Sequence, residues 1–441
     1  MKIHWPKITI PKEYESAESY LKHLVYEGAR KKGYIEGENN YLNERIEAIE
    51  HELDCLRGYE PYFIIFYDLM KFCKTENIIV APGYGNAPSS VVNYCLDITK
   101  IEPACDFQFE SFFIKGTTRI PDIDILVEDQ KRGSVIKYLS DTYGEESVLM
   151  SGVGYKANLK EKRSYRVPVY GVHACGVCLF DRPYHEVTET IDIVDKDSGK
   201  STKVPKLTKE ELEHLGYVHI DIIGSKDLNL VSKILQLIEI KHGTRIDFDS
   251  IPLDDSETYK FLSSGNEDVG KIWHCGDGIA KDFADTQPSW IVELCAINSM
   301  WTHKLYKWKN YYKFLVEEDD ADDRYSLFYE IFYEMTRGLV FYHEQINLIL
   351  YLMSGLSLED CERIRRNMRC PDQKPIRKCF MDGVKRSGLH SIKEAKNIWM
   401  YFMKHHKETI SMSHYYSLAV RWYRTTWLRV HYPDEFKACF I

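Results

Sequence analysis

The spacing of hydrophobic residues changes along the chain and indicates where helices give way to strands. Apolar residues at helical spacing cover 17–57 and end near Gly58, and a second helix is predicted over 62–76. The β-branched run 78–80 then leads into a glycine turn, after which helical spacing continues to Leu96. The predicted order over residues 17–96 is therefore a helical region, a second helix, one strand, one tight turn and a short helix.

In the middle of the chain the hydrophobic pattern changes, because the apolar runs there are short and rich in β-branched residues. Four of them predict strands, at 120–126, 167–180, 189–195 and 216–223. The turn signal 196–200 makes 189–205 a hairpin, and helices are predicted near 128–142 and 226–242. From about residue 250 onward the spacing is almost entirely helical. The predicted fold class is α+β, with a small sheet followed by a mostly helical domain.

Composition and charge narrow the class of protein. The 441 residues are 44% hydrophobic and 28% charged, which is typical of folded proteins with two or three domains. We find neither a signal peptide nor an apolar stretch of membrane length, so a cytoplasmic location without membrane contact is expected. A net charge of −9 excludes a uniformly basic surface, so any nucleic-acid contact must use a local basic patch.

Two acids interrupt the apolar run 120–126. Asp122 and Asp124 are two residues apart, so in a strand they share one face while Ile123 and Ile125 turn to the other. A third acid, Asp221, lies in the run 216–223. If the two strands are neighbours, three carboxylates converge, and this arrangement binds two Mg²⁺ ions, with Mn²⁺ as an alternative. The competing interpretation is a solvent-facing strand edge.

The glycine turn offers a place for phosphate groups. Gly83, Tyr84, Gly85 and Asn86 follow the short strand, and glycine lets backbone N–H groups approach phosphate oxygens. The helix after the turn is expected to point its positive end to the same place. No Lys-Ser/Thr pair of a Walker loop follows, so the turn alone is a weak signal.

Taken together, these residues resemble the C-family replicative polymerases, the bacterial DNA polymerase III alpha subunits. The resemblance rests on collinear blocks: YFII at 62–65, APGYGNAPSSVVNY at 81–94, PDID at 121–124, GVHACGV at 171–177, VHIDIIG at 218–224, IPLDD at 251–255, YHEQ at 342–345, IRRNM at 364–368, and Ser413-His414 with TWLRVHYPDEF at 426–436. So many blocks in the same order would not arise by chance.

The resemblance implies a palm with the nucleotidyltransferase topology of the polymerase β superfamily, followed by helical fingers. The corresponding domains would be an N-terminal helical segment 1–60, a first palm segment 61–140, a vestigial thumb 141–170, a second palm segment 171–240 and the fingers 241–441. A reduced palm and fingers core is expected, without the family's N-terminal phosphoesterase-like and C-terminal clamp-binding regions.

The resemblance also implies roles for individual residues. Asp122, Asp124 and Asp221 would be catalytic and hold both metal ions. Nucleotide contacts would come from Gly83, Tyr84, Gly85, Asn86, His219, Arg365, Arg366 and His414. Nucleic-acid contacts would come from Lys156, Lys160, Arg163, Arg421 and Arg424. The implied substrates are a DNA primer–template and nucleoside triphosphates, and other replication proteins are candidate partners.

Four positions lack the basic residue that the family uses. Tyr84, Ser111, His219 and Met412 stand there, so much of the expected grip on the triphosphate is missing. The segment between Gly144 and His173 is also far shorter than the family's thumb, so we expect a distributive enzyme. The leading hypothesis is a template-directed DNA polymerase. Two alternatives stay open: a catalytically weak or inactive relative that binds nucleic acid or the replisome, and a template-independent terminal transferase or primer-synthesising enzyme.

Overall fold

A computed structural model describes most of the chain, and the described residues form two compact units. They are residues 2–35, 41–103, 107–117, 119–154, 169–194, 199, 201–302, 340 and 342–440. The first unit comprises Met1–Ala87, Val91–Lys100 and Gly116–Lys233. The second comprises Pro88–Ser90, Ile101–Lys115 and Ile234–Ile441. The predicted acids all lie in the first unit.

A mixed four-stranded sheet forms the centre of the first unit, in the order β1-β6-β3-β2. Strand β1 is parallel to β6, and β3 is antiparallel to both β6 and β2. The strands of both sheets are β1 Asp124–Glu128, β2 Val148–Gly154, β3 Val169–Leu179, β4 Thr190–Val194, β5 Ser201–Pro205 and β6 Val218–Ser225. The α+β prediction, a mixed sheet followed by a mostly helical region, is confirmed.

The two strands that carry the acids owe their place to β-branched residues on the side opposite the acids. Ile125 and Val127 of β1 are 2% and 0% exposed, and Ile220 and Ile222 of β6 are both 0% exposed. Burial of such side chains on one face fixes the register of a strand, since a shift by one residue would turn them outward. The polar residues of these strands are therefore held on the opposite face.

Strand β2 is an element that the sequence did not predict. It lies within 141–170, the range assigned to a vestigial thumb, but Leu149 pairs with Cys178 of β3 and belongs to the sheet. The predicted thumb residues Lys156, Lys160 and Arg163 lie outside the described residues. The predicted hairpin is confirmed, with Thr190 of β4 opposite Pro205 of β5.

Helices surround the sheet in the first unit. They are α1 Ala17–Lys31, α2 Leu42–Cys55, α3 Glu60–Thr75, α4 Val91–Cys95, α6 Arg132–Tyr143, α7 Lys209–His214 and the first eight residues of α8 Lys226–His242, whose remainder belongs to the second unit. The first begins at a capping box in which Ser16 and Ser19 satisfy each other's backbone amides. The predicted strand 78–80 is reduced to one antiparallel bridge, Val80 to Val127.

Residues 101–115 fall in the second unit although the sequence assigned them to the palm. This segment contains α5 Phe109–Phe112. Within the second unit the ring of Phe107 meets that of Tyr416 at 5.6 Å, and Gln108 Nε2 donates to the carbonyl of Glu344 at 3.2 Å. The segment packs there because its aromatic side chains find their apolar partners among the helices.

The second unit is built of helices around an apolar core. They are α9 Ser256–Leu262, α10 Glu267–Ile272, α11 Asp277–Thr286, α12 Ile291–Thr302, α13 His343–Ser354, α14 Leu358–Asn367, α15 Lys374–Ser387, α16 Ile392–His405, α17 Met412–His431 and α18 Pro433–Phe440. Ile346, Leu350 and Met353 recur at helical spacing on α13 and pack with Phe380 and Trp399. Among the described residues, no helix is long and apolar enough to cross a membrane.

Candidate active site

The three acids predicted from the sequence lie together on one face of the sheet. Asp124, the first residue of β1, is the Cα partner of Asp221 on the parallel strand β6, and Asp122 lies two residues before the start of β1. Burial raises the pKa of Asp124 to about 7, and the negative charges of Asp122 and Asp221 add to this rise. Three carboxylates are thus close enough to repel one another.

The glycine turn lies against these acids. Ala81 donates its amide to the carbonyl of Leu126 at 2.8 Å, so the turn starts from the edge of β1. Gly85 has a φ of +58°, and a methyl group there would lie 3.8 Å from Asp124 Oδ2. Tyr84 packs on the apolar cluster that includes Ala81 and Leu126. The turn therefore brings backbone groups beside the carboxylate of Asp124.

The helix after the turn does not provide the expected positive end. Helix α4 has five residues, and the buried carboxylate of Glu52 accepts the amides of Val91 at 2.9 Å and Val92 at 3.1 Å. These two amides are consequently already bonded and not available to a phosphate. The helix contribution predicted from the sequence has no support here.

Two cationic side chains adjoin the acids. Lys209 of α7 donates to Asp221 Oδ2 at 2.9 Å, and both side chains are mostly buried, at 26% and 14% exposed. Burial lowers the pKa of Lys209, but the hydrogen bond to Asp221 and the negative charges of Asp221, Glu213 and Asp122 together outweigh burial, so the pKa is raised and the ammonium stays charged. Arg119 reaches Asp122 Oδ2 at 3.3 Å in a solvent-exposed pair. Lys209 and Arg119 therefore supply positive charge beside the acids, and neither stands at one of the four positions that lack a basic residue.

Two histidines adjoin Asp221 from the other side. Asp221 Oδ1 lies 3.8 Å from Nε2 of His219 and 3.7 Å from Nδ1 of His173. Burial lowers the pKa of His219 to about 3, and the charge of Lys209 lowers it further, so the imidazole is neutral. His173 Nδ1 accepts the amide of Gly176 at 2.8 Å. The predicted nucleotide ligand His219 thus lies in the cluster as an uncharged, buried ring.

The acid cluster fits divalent cations. Carboxylate oxygens are the ligands that Mg²⁺ and Mn²⁺ prefer, and a cation between them would remove the repulsion that raises the pKa of Asp124. In addition, Asp221 Oδ1 is buried and has no hydrogen-bond partner within the described residues. A buried carboxylate oxygen without a donor is costly, and a metal ion would satisfy it.

The two arginines predicted to meet the nucleotide already have close partners within the helical unit. Arg365 donates to Glu362 through Nε at 2.7 Å and Nη2 at 2.6 Å, and Arg366 Nε donates to the same carboxylate at 2.6 Å. Arg365 is 7% exposed and Glu362 is 0% exposed. These contacts are those of a buried structural ion pair, so the predicted role of both arginines stays a prediction.

The other predicted residues of the helical unit lie on α17 and are largely buried. Arg424 contacts Asp249 Oδ1 at 3.1 Å and the carbonyl of Ile251 at 3.3 Å, while Arg421 is 6% exposed. His414 lies in the first turn of the same helix, where its amide donates to Ser411 Oγ at 3.3 Å. Their predicted contacts with nucleic acid or nucleotide remain predictions.

Comparison with known families identifies the chain. Residues 19–167 match the bacterial DNA polymerase III alpha NTPase domain, and residues 227–388 match the finger domain of the same subunit. These two matches together span most of the chain; the first ends before β3, and the second begins within α8. The chain belongs to the C-family of DNA polymerases.

Curated relatives agree with this assignment. DNA polymerase III subunit alpha of Staphylococcus aureus strain MRSA252 is 24% identical over 497 residues, covering 98% of this chain and 45% of the relative. The same subunit of Staphylococcus epidermidis is 24% identical over 490 residues, covering 96% of this chain and 44% of the relative. The chain therefore spans less than half the length of these polymerase subunits.

Two of the four positions at which this C-family chain lacks a basic residue are buried in the helical unit. Ser111 is fully buried, and its carbonyl accepts Nη2 of Arg366 at 2.9 Å. Met412 is 3% exposed, and its amide donates to the buried carboxylate of Glu344 at 3.0 Å. Both positions are now within the folded interior of the helical unit.

Sequence reasoning missed residues that contact the acids through the fold. Lys209 lies twelve residues before Asp221, and no periodicity indicates that its ammonium returns to that carboxylate. The fully buried Tyr62 is another: burial raises its pKa well above the usual value, as does the charge of Asp122. The pairing of Glu362 with Arg365 and Arg366 did carry a signal, because spacings of three and four on a helix favour ion pairs.

Proposed function

We propose that the chain is a template-directed DNA polymerase that adds nucleotides to a primer 3′-hydroxyl with the help of divalent metal ions. The observation that carries the proposal is the pairing of Asp124 with Asp221 on adjacent parallel strands, with Asp122 and the Gly85 turn beside them. Such a convergence of acids next to a glycine turn is difficult to explain as a structural feature, because it raises the energy of the folded state.

In the proposed reaction, the primer 3′-oxygen attacks the α-phosphorus, and the bond between the α-phosphorus and the bridging oxygen of pyrophosphate breaks. Asp122, Asp124 and Asp221 would hold the metal ions, with two Mg²⁺ expected and Mn²⁺ as an alternative. Bound there, the ions would lower the pKa of the attacking hydroxyl and neutralise charge on the triphosphate. The carboxylates fix the place where the substrates meet.

Other residues would act on the triphosphate directly. The backbone at Gly85 has no side chain between it and the space beside Asp124, so phosphate oxygens can approach it. Lys209 and Arg119 would supply positive charge beside the acids in place of the family's lost cations. The substrates under this proposal are a DNA primer–template and deoxynucleoside triphosphates.

Primer extension tests the proposal. Purified protein is incubated with Mg²⁺ or Mn²⁺, labelled nucleotides, and a primer with or without template. We expect extension that requires the template, and that falls by about 10²–10³-fold in Asp124→Asn, the cost typical of removing one charge-stabilising group. The control is Asp141→Asn, which changes an exposed acid of α6 in the same unit and should keep full activity.

The same assay separates the alternatives. Incorporation without a template would support a terminal transferase or a primer-synthesising enzyme and contradict the proposal. No incorporation by the unchanged protein, with primer–template still bound in a fluorescence anisotropy measurement, would support a nucleic-acid-binding relative. An excess of unlabelled primer–template, added after extension has begun, tests whether the enzyme is distributive. A distributive enzyme leaves its primer after a few additions, so the labelled products should stay short.

A further inference from the structure

The side chains of His173, His219 and Ser151 converge next to the acid cluster, and we call the place where they meet the pocket. It lies above Gly176 of β3, the Cα partner of Asp221 on β6. A methyl group added at Gly176 would lie within 3.0 Å of three polar atoms, which are His219 Nε2, Ser151 Oγ and His173 Nδ1. The absence of a side chain at Gly176 therefore leaves a space towards which these atoms converge.

Two buried polar atoms at this place, one of His219 and one of Asp221, lack a hydrogen-bond partner among the described residues. His219 has a side chain that is 5% exposed, yet its Nε2 has no hydrogen-bond partner among the described residues, and neither has Asp221 Oδ1. The two atoms are 3.8 Å apart. A buried nitrogen and a buried carboxylate oxygen that both lack a partner point to a third group that the two atoms share.

We infer that His173, His219 and Asp221 form a second cation site, joined to the acid cluster through Asp221, that selects a transition-metal ion over Mg²⁺. Ligand atoms of the three side chains lie within 4.8 Å of one another. Imidazole nitrogen suits Zn²⁺ and neighbouring late transition-metal ions such as Co²⁺, whereas Mg²⁺ prefers an all-oxygen set. The site shares Asp221 with the acid cluster, but it takes a different class of ion.

The spacing of the donors is close to what such an ion needs. Two ligands of one tetrahedral zinc ion are about 3.3 Å apart, given metal–ligand bonds of about 2.0–2.1 Å. Asp221 Oδ1 is 3.7 Å from His173 Nδ1 and 3.8 Å from His219 Nε2, so a contraction of about half an ångström brings them into range. The side chain of His173 is 36% exposed, which gives an ion a route from solvent.

The two histidines should contribute unequally. His173 Nδ1 accepts the amide of Gly176, so coordination there exchanges a hydrogen bond for a metal bond. His219 Nε2 gives up no hydrogen bond to the described residues when it binds an ion. Loss of His219 is therefore expected to weaken binding more than loss of His173. The ammonium of Lys209 donates to Oδ2 of Asp221, so Oδ1 of the same carboxylate is left for the ion.

Titration of metal-depleted protein with Co²⁺, followed by visible absorption in a large excess of Mg²⁺, tests the inference. The excess Mg²⁺ fills positions built only from oxygen, so Co²⁺ should report the site with imidazole ligands. We expect one equivalent to bind and Zn²⁺ to displace it. His219→Gln should weaken binding by about 100-fold or more, because even outer partners of a metal site are worth 10–100-fold.

Two glycine variants provide a matched pair on β3. Gly176→Ala places a methyl group in the pocket without removing a ligand and should abolish Co²⁺ binding. Gly171→Ala lies on the same strand with nothing within 4 Å of the added methyl, so it should bind Co²⁺ normally. Unfolding midpoints of all variants are measured alongside, and His219→Gln keeps the test valid if Gly176→Ala fails to fold.

The inference and the proposed polymerase activity can fail separately. Asp124→Asn is expected to lose incorporation but to keep the Co²⁺ site, because Asp124 is not one of its ligands. Binding of Co²⁺ no tighter than of Mg²⁺ would overturn the inference. So would a spectrum unchanged in both His219→Gln and Gly176→Ala, or an intense thiolate charge-transfer band that shows Co²⁺ on cysteine instead.

Discussion

Two carboxylates that are largely shielded from solvent, one in each unit, have pKa values shifted in opposite directions. In the sheet-containing unit the pKa of Asp124 is raised to about 7 by burial and by two neighbouring acids. In the helical unit Glu362 is fully buried, yet its pKa is lowered, because Arg365 and Arg366 outweigh the effect of burial. Asp124 has two other acids as neighbours, whereas two arginines of the chain neutralise Glu362.

The contrast separates a binding site from a structural ion pair. Lys209 and Arg119 offset part of the repulsion among Asp122, Asp124 and Asp221, but the pKa of Asp124 stays raised, so the arrangement favours a further cation from outside. The pair of Glu362 with its arginines needs no such addition. Whether nearby positive charge balances an acid thus indicates the role of that acid more clearly than burial alone. The following variants test this contrast.

The largest effect is expected from Glu362→Ala. The change leaves Arg365 buried without its partner, which typically costs about 3–5 kcal/mol. Urea unfolding followed by circular dichroism should show this loss. Asp360→Ala, on the exposed side of the same helix, is the control and should cost less than about 1 kcal/mol. Similar losses in both variants would remove the distinction drawn here.

Asp124→Asn is expected to act in the opposite direction and to stabilise the metal-free protein. The folded pKa of about 7 exceeds the ordinary value of 3.8, so the unfolded chain releases this proton first, and stability falls as pH rises from about 4 to 7. The variant escapes this loss and should gain about 2 kcal/mol above pH 7.

Unfolding in the presence of EDTA at about pH 5 and about pH 8 measures this gain, which should be larger at the higher pH. Asp141→Asn serves as the control, since Asp141 is exposed and pairs only with Lys137 among the described residues. A stability loss in Asp124→Asn at the higher pH would mean that the acids are compensated already.

Lys209→Met removes the ammonium that neutralises Asp221 and should cost about 1.5 kcal/mol, the lower range for a hydrogen bond to a charged group. The matched change is Lys137→Met, whose exposed pair with Asp141 contributes about 0.3–0.5 kcal/mol. Unfolding free energies at neutral pH compare the two. Equal costs would show that Lys209 does not contribute more than a surface lysine.

The smallest effect on stability is expected from Gly85→Ala. Alanine at a φ of +58° costs about 1 kcal/mol, so the protein should still fold. Primer extension should nevertheless fall, because the methyl group would enter the space next to Asp124 Oδ2. The same substitution at Gly388, which ends α15 with a similar φ of +65°, is the control and should lose stability without losing activity.

The sequence predicted the features that depend on alternation and on neighbouring apolar runs. Asp122 and Asp124 share a face because strand side chains alternate, and β1 meets Asp221 because β6 is equally apolar on its other face. Strand β2 was missed because glycines interrupt it and weaken its strand pattern. Lys209 was missed because its contact with Asp221 depends on how α7 packs, which short-range spacing does not report.

The pairing of β1 with β6 also restricts the strand registers that can form while the chain folds. With Asp124 opposite Asp221, both acids stay out of the apolar interior. A slip of one residue would turn Asp124 toward the side where Ile220 and Ile222 are buried and would force an isolated charge into it. Mutual repulsion makes the correct alignment unfavourable by itself, but a shift by one residue is worse, so the acids themselves help to exclude that alignment.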